Sequence, residues 1–389
     1  MNRKLLVATV AGSVAIPATA FAELTINGLL SPSINYVSTF DRDDADTDRV
    51  SLEDNQSSLG FKWDEDLGAG TKFIGFIDLS IPIGDPGIEG NGGSGVTLRD
   101  TYAGFEGGWG QIIFGDASTS WKSSYAVIDP LFRTSAQGRG GIDQVSGLSA
   151  GDGKLNITAP NLPPGSVRNS VTQGRASNLI RYDTPSFAGL KGIAWASLEE
   201  SPVRDTTDIF SGSGYGVGLH YETGPFFASF DWQRDDAINA NDDNKDAFAV
   251  GAKFTANPFS IWGRFEFDGG AISVVEGLGG TRAGVGGTED AHYAYAGLSY
   301  QFAGSNVLFG TYGHRFESET EGVPGLGKVK NNDDVDAFLI ALAHGFSKRT
   351  WIYGGYGYNS VSDGVANAAY TNRTTGDFHI VTAGIKHSF

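Results

Sequence analysis

Two short motifs in the chain match patterns that carry chemistry in other proteins. Residues 147–151 read G-x-S-x-G, which in hydrolases places a serine nucleophile on a strand-to-helix turn. Residues 90–95 read G-x-G-x-x-G, which in dinucleotide-binding proteins lies between a strand and a helix. Both motifs fall in glycine-rich stretches that show no such strand and helix around them. We therefore expect neither a catalytic serine nor a nucleotide site at these positions.

The residues that usually bind metals give no recognisable site. The chain has no cysteine, which excludes a thiolate zinc site, an iron–sulfur cluster and a disulfide framework. Its six histidines are dispersed and form no H-E-x-x-H pair. The acidic residues 239–243 lack the glycine and the closing glutamate of an EF-hand loop. We expect no metal and no cofactor.

The overall composition excludes further classes of protein. The chain carries 28 Lys and Arg against 45 Asp and Glu, a formal net charge of −17. Such a chain repels phosphate backbones, so nucleic acid is excluded as a partner. Glycine accounts for 56 of the 389 residues, roughly twice the usual share of ~7%. Because glycine destabilises helices, an all-helical fold is unfavourable.

The N-terminus has the three parts of a secretory signal peptide. Residues 2–4 are basic, residues 5–16 are apolar and uncharged, and residues 20–22 read A-F-A before Glu23. The alternative is a membrane anchor. However, a helix over 5–16 would rise about 18 Å, against a hydrocarbon core of ~30 Å. We expect residues 1–22 to be cleaved and residues 23–389 to form a single domain.

After Glu23 the apolar residues recur with period two, which predicts strands. Between Pro225 and Asp235, for example, one face would carry Phe226, Ala228, Phe230 and Trp232, and the other Ser229, Asp231, Gln233 and Asp235. Seven tight turns alternate with eight longer loops rich in Asp, Gly, Asn and Ser. These 15 connections predict 16 antiparallel strands, each about ten residues long.

The alternation also decides between a soluble sheet and a membrane barrel. Sixteen strands in a closed barrel enclose a space too wide for side chains to fill, so the polar faces must meet water inside. The apolar faces of a single-walled barrel then have only lipid to contact, and closure leaves no unpaired edge in the bilayer. We predict an all-β fold, a 16-stranded antiparallel transmembrane β-barrel, over a soluble β protein of the periplasm.

Several stretches, in this order and with the signal peptide, resemble the general porin family of Gram-negative bacteria. They are residues 58–62 (S-L-G-F-K), 65–68 (E-D-L-G), 99–105 (R-D-T-Y-A-G-F), 108–110 (G-W-G), 346–350 (F-S-K-R-T) and the C-terminal 384–389 (G-I-K-H-S-F). The last aromatic, Phe389, is similar to the family's signal for the barrel-assembly machinery. The resemblance covers the whole chain after residue 22.

The resemblance implies a homotrimer in the outer membrane, through which small hydrophilic solutes and ions diffuse passively. It also implies a long third loop that folds into the lumen and narrows it. Residues 117–176 form by far the longest connection, and a loop of that length is usually functional. We expect its first half, residues 121–141, to lie in the channel. The outer-membrane barrel with an enzymatic (lipid hydrolase) or adhesive role remains the alternative.

A narrow water-filled neck orients solutes with fixed charges of both signs. Arg99 and Arg181 match the family's basic wall positions and fall on the polar face by parity. The loop offers two acids, Asp129 and Asp143. It also carries Lys122 and Arg133, so the expected constriction set is Arg99, Arg181, Asp129, Asp143, Arg133 and Lys122. The alternative for the wall arginines is a structural ion pair.

Charge near the neck predicts a preference for cations. Ser58 stands where family members often have arginine, and Asp116 follows Gly115 where many have Gly-Arg. Both departures remove positive charge. Much of the remaining acid lies in outer loops, whose effect on the neck is screened over about 8 Å at 0.15 M salt. These loops either bind divalent cations, including those that bridge lipopolysaccharide, or form a solvated face.

Overall fold

The structure, a computed structural model, describes most of the chain after residue 22. Its described residues are 23–39, 47–81, 83, 96–137, 171–172, 174–198, 214–235, 245–268, 288–289, 291–317, 319–321, 328–330, 334–361 and 378–389. The expected signal peptide, residues 1–22, lies outside them.

Almost all regular structure consists of strands. The strands are β1 Glu23–Leu30, β2 Pro32–Thr39, β3 Thr47–Asp54, β4 Ser58–Gly68, β5 Thr71–Ser80, β6 Thr97–Gly107, β7 Gly110–Ser118, β8 Val171–Thr172, β9 Arg175–Asp183, β10 Leu190–Ser197, β11 Gly214–Thr223, β12 Phe226–Asp235, β13 Lys245–Ala256, β14 Phe259–Asp268, β15 Thr288–Glu289, β16 Ala291–Phe302, β17 Asn306–Arg315, β18 Glu319–Glu321, β19 Lys328–Lys330, β20 Val335–Gly345, β21 Thr350–Val361 and β22 Phe378–Ser388. One helix, α1 Ser120–Ile128, follows β7. Within the described ranges, no helix has the length and the apolar character needed to cross a membrane.

The long strands close into a barrel of 16 wall strands. β1 and β2 run on as one wall strand, as do β3 and β4, because β1 pairs with β4 and β2 pairs with β3 in nearly the same register. The short segments β8, β15, β18 and β19 add no wall strand. The last strand pairs antiparallel with the first, with Ser388 opposite Leu29 and Gly384 opposite Ser33. The predicted strand number and all seven tight turns are confirmed.

The two faces of the wall differ as the period-two pattern predicts. On β12, Phe226 and Phe230 are 37% and 38% exposed, whereas Asp231 is fully buried. We call the face with the exposed apolar side chains the outer face and the opposite one the inner face. Because the exposed rings would be unfavourable in water, this outer face requires an apolar solvent.

The C-terminus completes the closure. The main-chain N–H and C=O of Phe389 exchange hydrogen bonds with Gly28, at 3.1 and 3.0 Å, and the Phe389 ring covers Gly28. A Cβ at position 28 would lie 2.8 Å from the main-chain oxygen of Ser58. Glycine is therefore required where the first and last strands meet.

Replacing Gly28 with valine is expected to weaken this closure. The added side chain must displace either the terminal ring or the neighbouring strand, and overpacking of this kind costs roughly 1–3 kcal/mol. Urea unfolding followed by tryptophan fluorescence measures the loss. Gly310→Val is the matched control, because a Cβ at Gly310 meets no atom within 4 Å. Equal stability of the two variants would contradict the prediction.

Candidate functional site

The chain leaves the wall after β7 and forms α1 directly. This nine-residue helix has no side-chain cap at its N-terminus, and a helix this short is marginal by itself in water. It contacts β7 and the four strands β11–β14. Trp121, Tyr125 and Ile128 are buried in these contacts. Tertiary packing against the inner face therefore holds the helix.

The inner face is shaped to receive the helix. A Cβ at Gly218 on β11 would lie 2.5 Å from the Cβ of Ser120, so only glycine allows this approach. Apolar side chains on both sides then form one cluster. From the segment after β7 it takes Trp121, Ile128, Leu131 and Ala136, and from the wall it takes Phe227, Ala247, Ala249, Trp262, Tyr293, Tyr295, Phe309, Leu339, Ala341, Ala343 and Tyr353.

A buried ionic network lies under the helix. The Arg264 guanidinium, which is completely buried, donates to the Glu266 carboxylate and, at 2.7 Å, to Ser124 Oγ. Ser124 Oγ in turn donates to Asp231 Oδ2 at 2.5 Å. The same guanidinium lies 4.9 Å from the centre of the Trp121 ring, a cation–π arrangement. The network thus joins α1 to β12 and β14.

Wall lysines bind the segment through its main-chain carbonyls. Lys253 Nζ donates to Val127 O at 2.9 Å, and Lys386 Nζ donates to Phe132 O at 2.5 Å. Val127 lies in the last turn of α1, where unpaired carbonyl oxygens favour a cation. The ammonium groups of both lysines are therefore used in holding residues 127–132.

Farther along, hydroxyl groups hold residues 134–137 against the C-terminal strands. Ser135 N–H donates to Tyr353 Oη at 3.0 Å, and the Ser135 hydroxyl lies 2.5 Å from Thr382 Oγ1. Thr382 Oγ1 donates to Asn35 Oδ1 at 2.6 Å. The segment 120–137 thus follows the inner face from β11 round to β22 and β2.

The inner face of β5, β6 and β9 carries a paired basic cluster. Arg99 Nε donates to Asp78 Oδ2 at 3.1 Å, and Arg175 Nε donates to Asp100 Oδ1 at 2.7 Å. Arg99 and Asp100 are consecutive, yet both contact inner-face groups. The pairing of β5 with β6 shifts register between Ile77 and Leu79, and such a bulge turns two successive residues to one side.

Arg133 joins this cluster from the segment. Its Nη2 donates to Ser58 Oγ at 2.8 Å and also to Gln56 O, while Arg99 Nη2 donates to Gln56 Oε1 at 3.2 Å. Burial, together with the positive charge of Arg99, lowers the pKa of Arg133 to about 10. The guanidinium therefore remains charged at neutral pH.

Arg181 is paired more tightly than the basic cluster. Two of its nitrogens reach both oxygens of Asp183, at 2.6 and 2.9 Å, a bidentate pair. A third nitrogen donates to Ser118 O at 2.5 Å. The Asp183 carboxylate also receives Lys191 Nζ at 2.7 Å.

The remaining residues expected at the constriction are Asp129, Lys122 and Asp143. Asp129 is buried on the far side of the segment, where its Oδ1 accepts from Leu131 N at 2.8 Å and Tyr125 Oη donates to its Oδ2 at 3.3 Å. Lys122 is buried on α1. Asp143 lies outside the described residues. Asp116 falls on the outer face, two positions from the exposed Phe114.

The sequence reasoning did not select Asp78, Asp100, Arg175 or Arg264. A strict period of two puts Arg99 and Asp100 on opposite faces and so misplaces one of them, because it does not anticipate the bulge. Asp78 alternates with apolar residues on β5, so its inward position was available from the pattern. Neither pattern identifies the ion-pair partners of Asp78 and Asp100, because these partners, Arg99 and Arg175, lie on other strands.

One of the six dispersed histidines, His314, lies beside an acid. His314 Nδ1 lies 2.8 Å from Asp336 Oδ1, and Tyr312 Oη donates to the same oxygen at 2.6 Å. These groups share the outer face with the exposed Tyr312. The G-x-S-x-G and G-x-G-x-x-G stretches lie outside the described residues.

A closed 16-stranded barrel with an apolar exterior and a charged interior defines a transmembrane β-barrel of the outer-membrane type. Residues 7–364 match a family model described as Gram-negative porin, and the chain belongs to that family. The resemblance found in the sequence is confirmed, and the protein is an outer-membrane protein.

Relatives and structural neighbours agree with this assignment. The chain is 24% identical over 234 residues to the major outer membrane protein P.IB of Neisseria gonorrhoeae, a match covering 59% of this chain and 56% of that protein. It is 22% identical over 372 residues to P.IB of Neisseria sicca, covering 90% and 91%. An anion-selective porin from Comamonas acidovorans superposes with a TM-score of 0.66 at 21% identity, covering 95% of this chain and all of that one. At this identity the likeness shows the fold.

Proposed function

We propose that the protein is a non-enzymatic homotrimeric channel through which small hydrophilic solutes and ions diffuse passively. It is surrounded by outer-membrane lipid and lipopolysaccharide. The long connection 117–176, of which residues 138–170 and 173 lie outside the described structure, is the part proposed to narrow the lumen. The observation that carries this proposal is the run of contacts from α1 to Ser135 along one part of the inner face. The run of contacts ends beside the charged groups around Arg99, where Arg133 of the segment reaches Gln56 and Ser58 on the wall.

Recording from purified protein in a planar lipid bilayer tests the channel. We expect stepwise current increases in multiples of three, one for each barrel of a trimer. Protein that inserts into vesicles with its normal strand content and conducts no ions would contradict the channel. It would favour a barrel whose loops are the working surface.

We further propose a modest preference for cations. The arginines of the described inner face each contact a carboxylate or another acceptor, whereas the chain as a whole carries a net charge of −17. Excess acid near the mouth attracts cations over about one screening length, ~8 Å at 0.15 M salt. The preference should therefore fall as the salt concentration rises.

The neighbouring residues Arg99 and Asp100 provide a paired test of charge at the neck. Arg99→Ser removes a positive charge and should move the reversal potential in a salt gradient toward stronger cation preference. Asp100→Asn removes a negative charge from the next residue and should move the reversal potential in the opposite direction. Because the two side chains share one bulge, each variant is the other's control for a change in strand geometry. Shifts of the same sign, or none, would contradict the constriction assignment.

A further inference from the structure

Hydrogen bonds to the main chain of Arg133 hold this residue independently of its side chain. Its N–H donates to Gln137 Oε1 at 2.7 Å, and its carbonyl oxygen accepts from Ser31 Oγ at 2.8 Å. Its φ of 63° lies in the left-handed region, which non-glycine residues adopt only at a cost. These bonds and this backbone conformation direct the side chain toward the wall.

The wall has a matching notch at residues 55–57, where β3 ends and β4 begins. Gln56 has a φ of 67°, and its carbonyl oxygen accepts from Arg133 Nε at 3.1 Å. Ser58, the first residue of β4, provides the other acceptor at 2.8 Å. A larger side chain at position 58 would fill the space that the guanidinium occupies.

From these contacts we infer that Arg133 determines both the width and the charge selectivity of the channel. Its side chain latches the segment to the wall, and the same side chain adds a positive charge to the neck. The inference rests on the proposed function. The planar fork is suited to this double role, because it donates to two acceptors while keeping its charge. The latch makes loop position and pore charge depend on each other.

Arg99 provides the matched control for charge alone. It belongs to the same cluster, and its side chain donates hydrogen bonds to Asp78 and Gln56 on the wall. Arg99→Ser should therefore shift the reversal potential toward cations while residues 120–137 keep their own bonds to the wall. Arg133→Ser should shift it in the same direction and also raise the single-channel conductance above that of Arg99→Ser, because the segment loses its side-chain bonds to Gln56 and Ser58.

The double variant Arg133→Ser with Ser58→Arg separates the two roles. It returns a guanidinium to the notch from the wall side, so the reversal potential should move back toward that of the unmodified protein. The latch stays broken, so the conductance should remain raised. Arg133→Lys keeps the charge and loses the fork, and should give an intermediate conductance.

Cross-linking measures the latch without any current. The chain has no cysteine, so Ser135→Cys with Thr382→Cys introduces a single thiol pair where the two hydroxyls are 2.5 Å apart. We expect efficient disulfide formation in this variant and a several-fold lower yield when Arg133→Ser is added. An unchanged yield, with Arg133→Ser conducting like Arg99→Ser, would overturn the latch while leaving the channel intact. Failure of the unmodified protein to conduct would instead contradict the proposed function, and the inference with it.

Discussion

Replacing Arg264 with leucine is expected to lower the free energy of unfolding by about 3–5 kcal/mol, the usual cost of removing one partner from a buried ion pair. The guanidinium is completely buried and contacts Glu266 directly, with Asp231 Oδ2 3.7 Å away. Leucine leaves both buried carboxylates without their positive partner. It also removes the cation that lies against Trp121. Urea unfolding of the protein in detergent or vesicles measures the change.

Arg234→Leu is the matched control for this variant. Arg234 also pairs with a carboxylate, Asp246, at 2.6 Å, but the two side chains are 33% and 29% exposed. The pair lies at the end of β12 and the start of β13, next to the long connection between them, where water and lipid headgroups screen it and its loss costs about 0–1 kcal/mol. If Arg264→Leu and Arg234→Leu destabilise the barrel equally, the buried network does not hold the segment as described.

Replacing Trp121 with alanine is expected to loosen segment 120–137 and raise the conductance. Trp121 is buried between α1 and the inner face, where it packs in the apolar cluster and against Arg264. Truncating a buried tryptophan costs about 3–5 kcal/mol. Since the marginal helix depends on this packing, the lost free energy should mainly weaken the attachment of the segment to the inner face. Single-channel recording reports the wider pore.

Trp109→Ala controls for the loss of an indole ring. Trp109 lies in the tight turn between β6 and β7, is 43% exposed, and stacks on Tyr182 of the outer face. Its removal should leave the conductance unchanged. A conductance that does not rise in Trp121→Ala would show that the packing of the ring does not determine the width of the pore.

The barrel itself could be predicted because lipid outside and water inside impose a strict alternation on each strand. On β12 the outward set Phe226, Ala228, Phe230 and Trp232 and the buried polar residues follow that rule, and Phe227, which joins the inner apolar cluster, is the exception. Turn chemistry and the number of long loops then fixed the strand number. A wall one sheet thick has no second layer to override the local pattern.

The site could be predicted only in part, because its contacts are not local in the sequence. Parity placed Arg99 on the inner face but could not reveal the bulge that turns Asp100 the same way. Asp129 was expected to face the channel. In the structure its carboxylate instead accepts from the backbone two residues on, as aspartates in turns commonly do. The carbonyl partners of Lys386 and Arg133 lie on distant parts of the chain, so no spacing rule could find them.

The most direct test of the account compares two neighbouring cysteine variants in a planar bilayer. Lys62 is exposed on the inner face and Phe61 lies on the outer one. A negatively charged, water-soluble thiol reagent should modify Lys62→Cys and change its current, and should leave Phe61→Cys unmodified. Equal modification of both positions, or modification of Lys62→Cys without any change in current, would contradict a water-filled passage through this barrel.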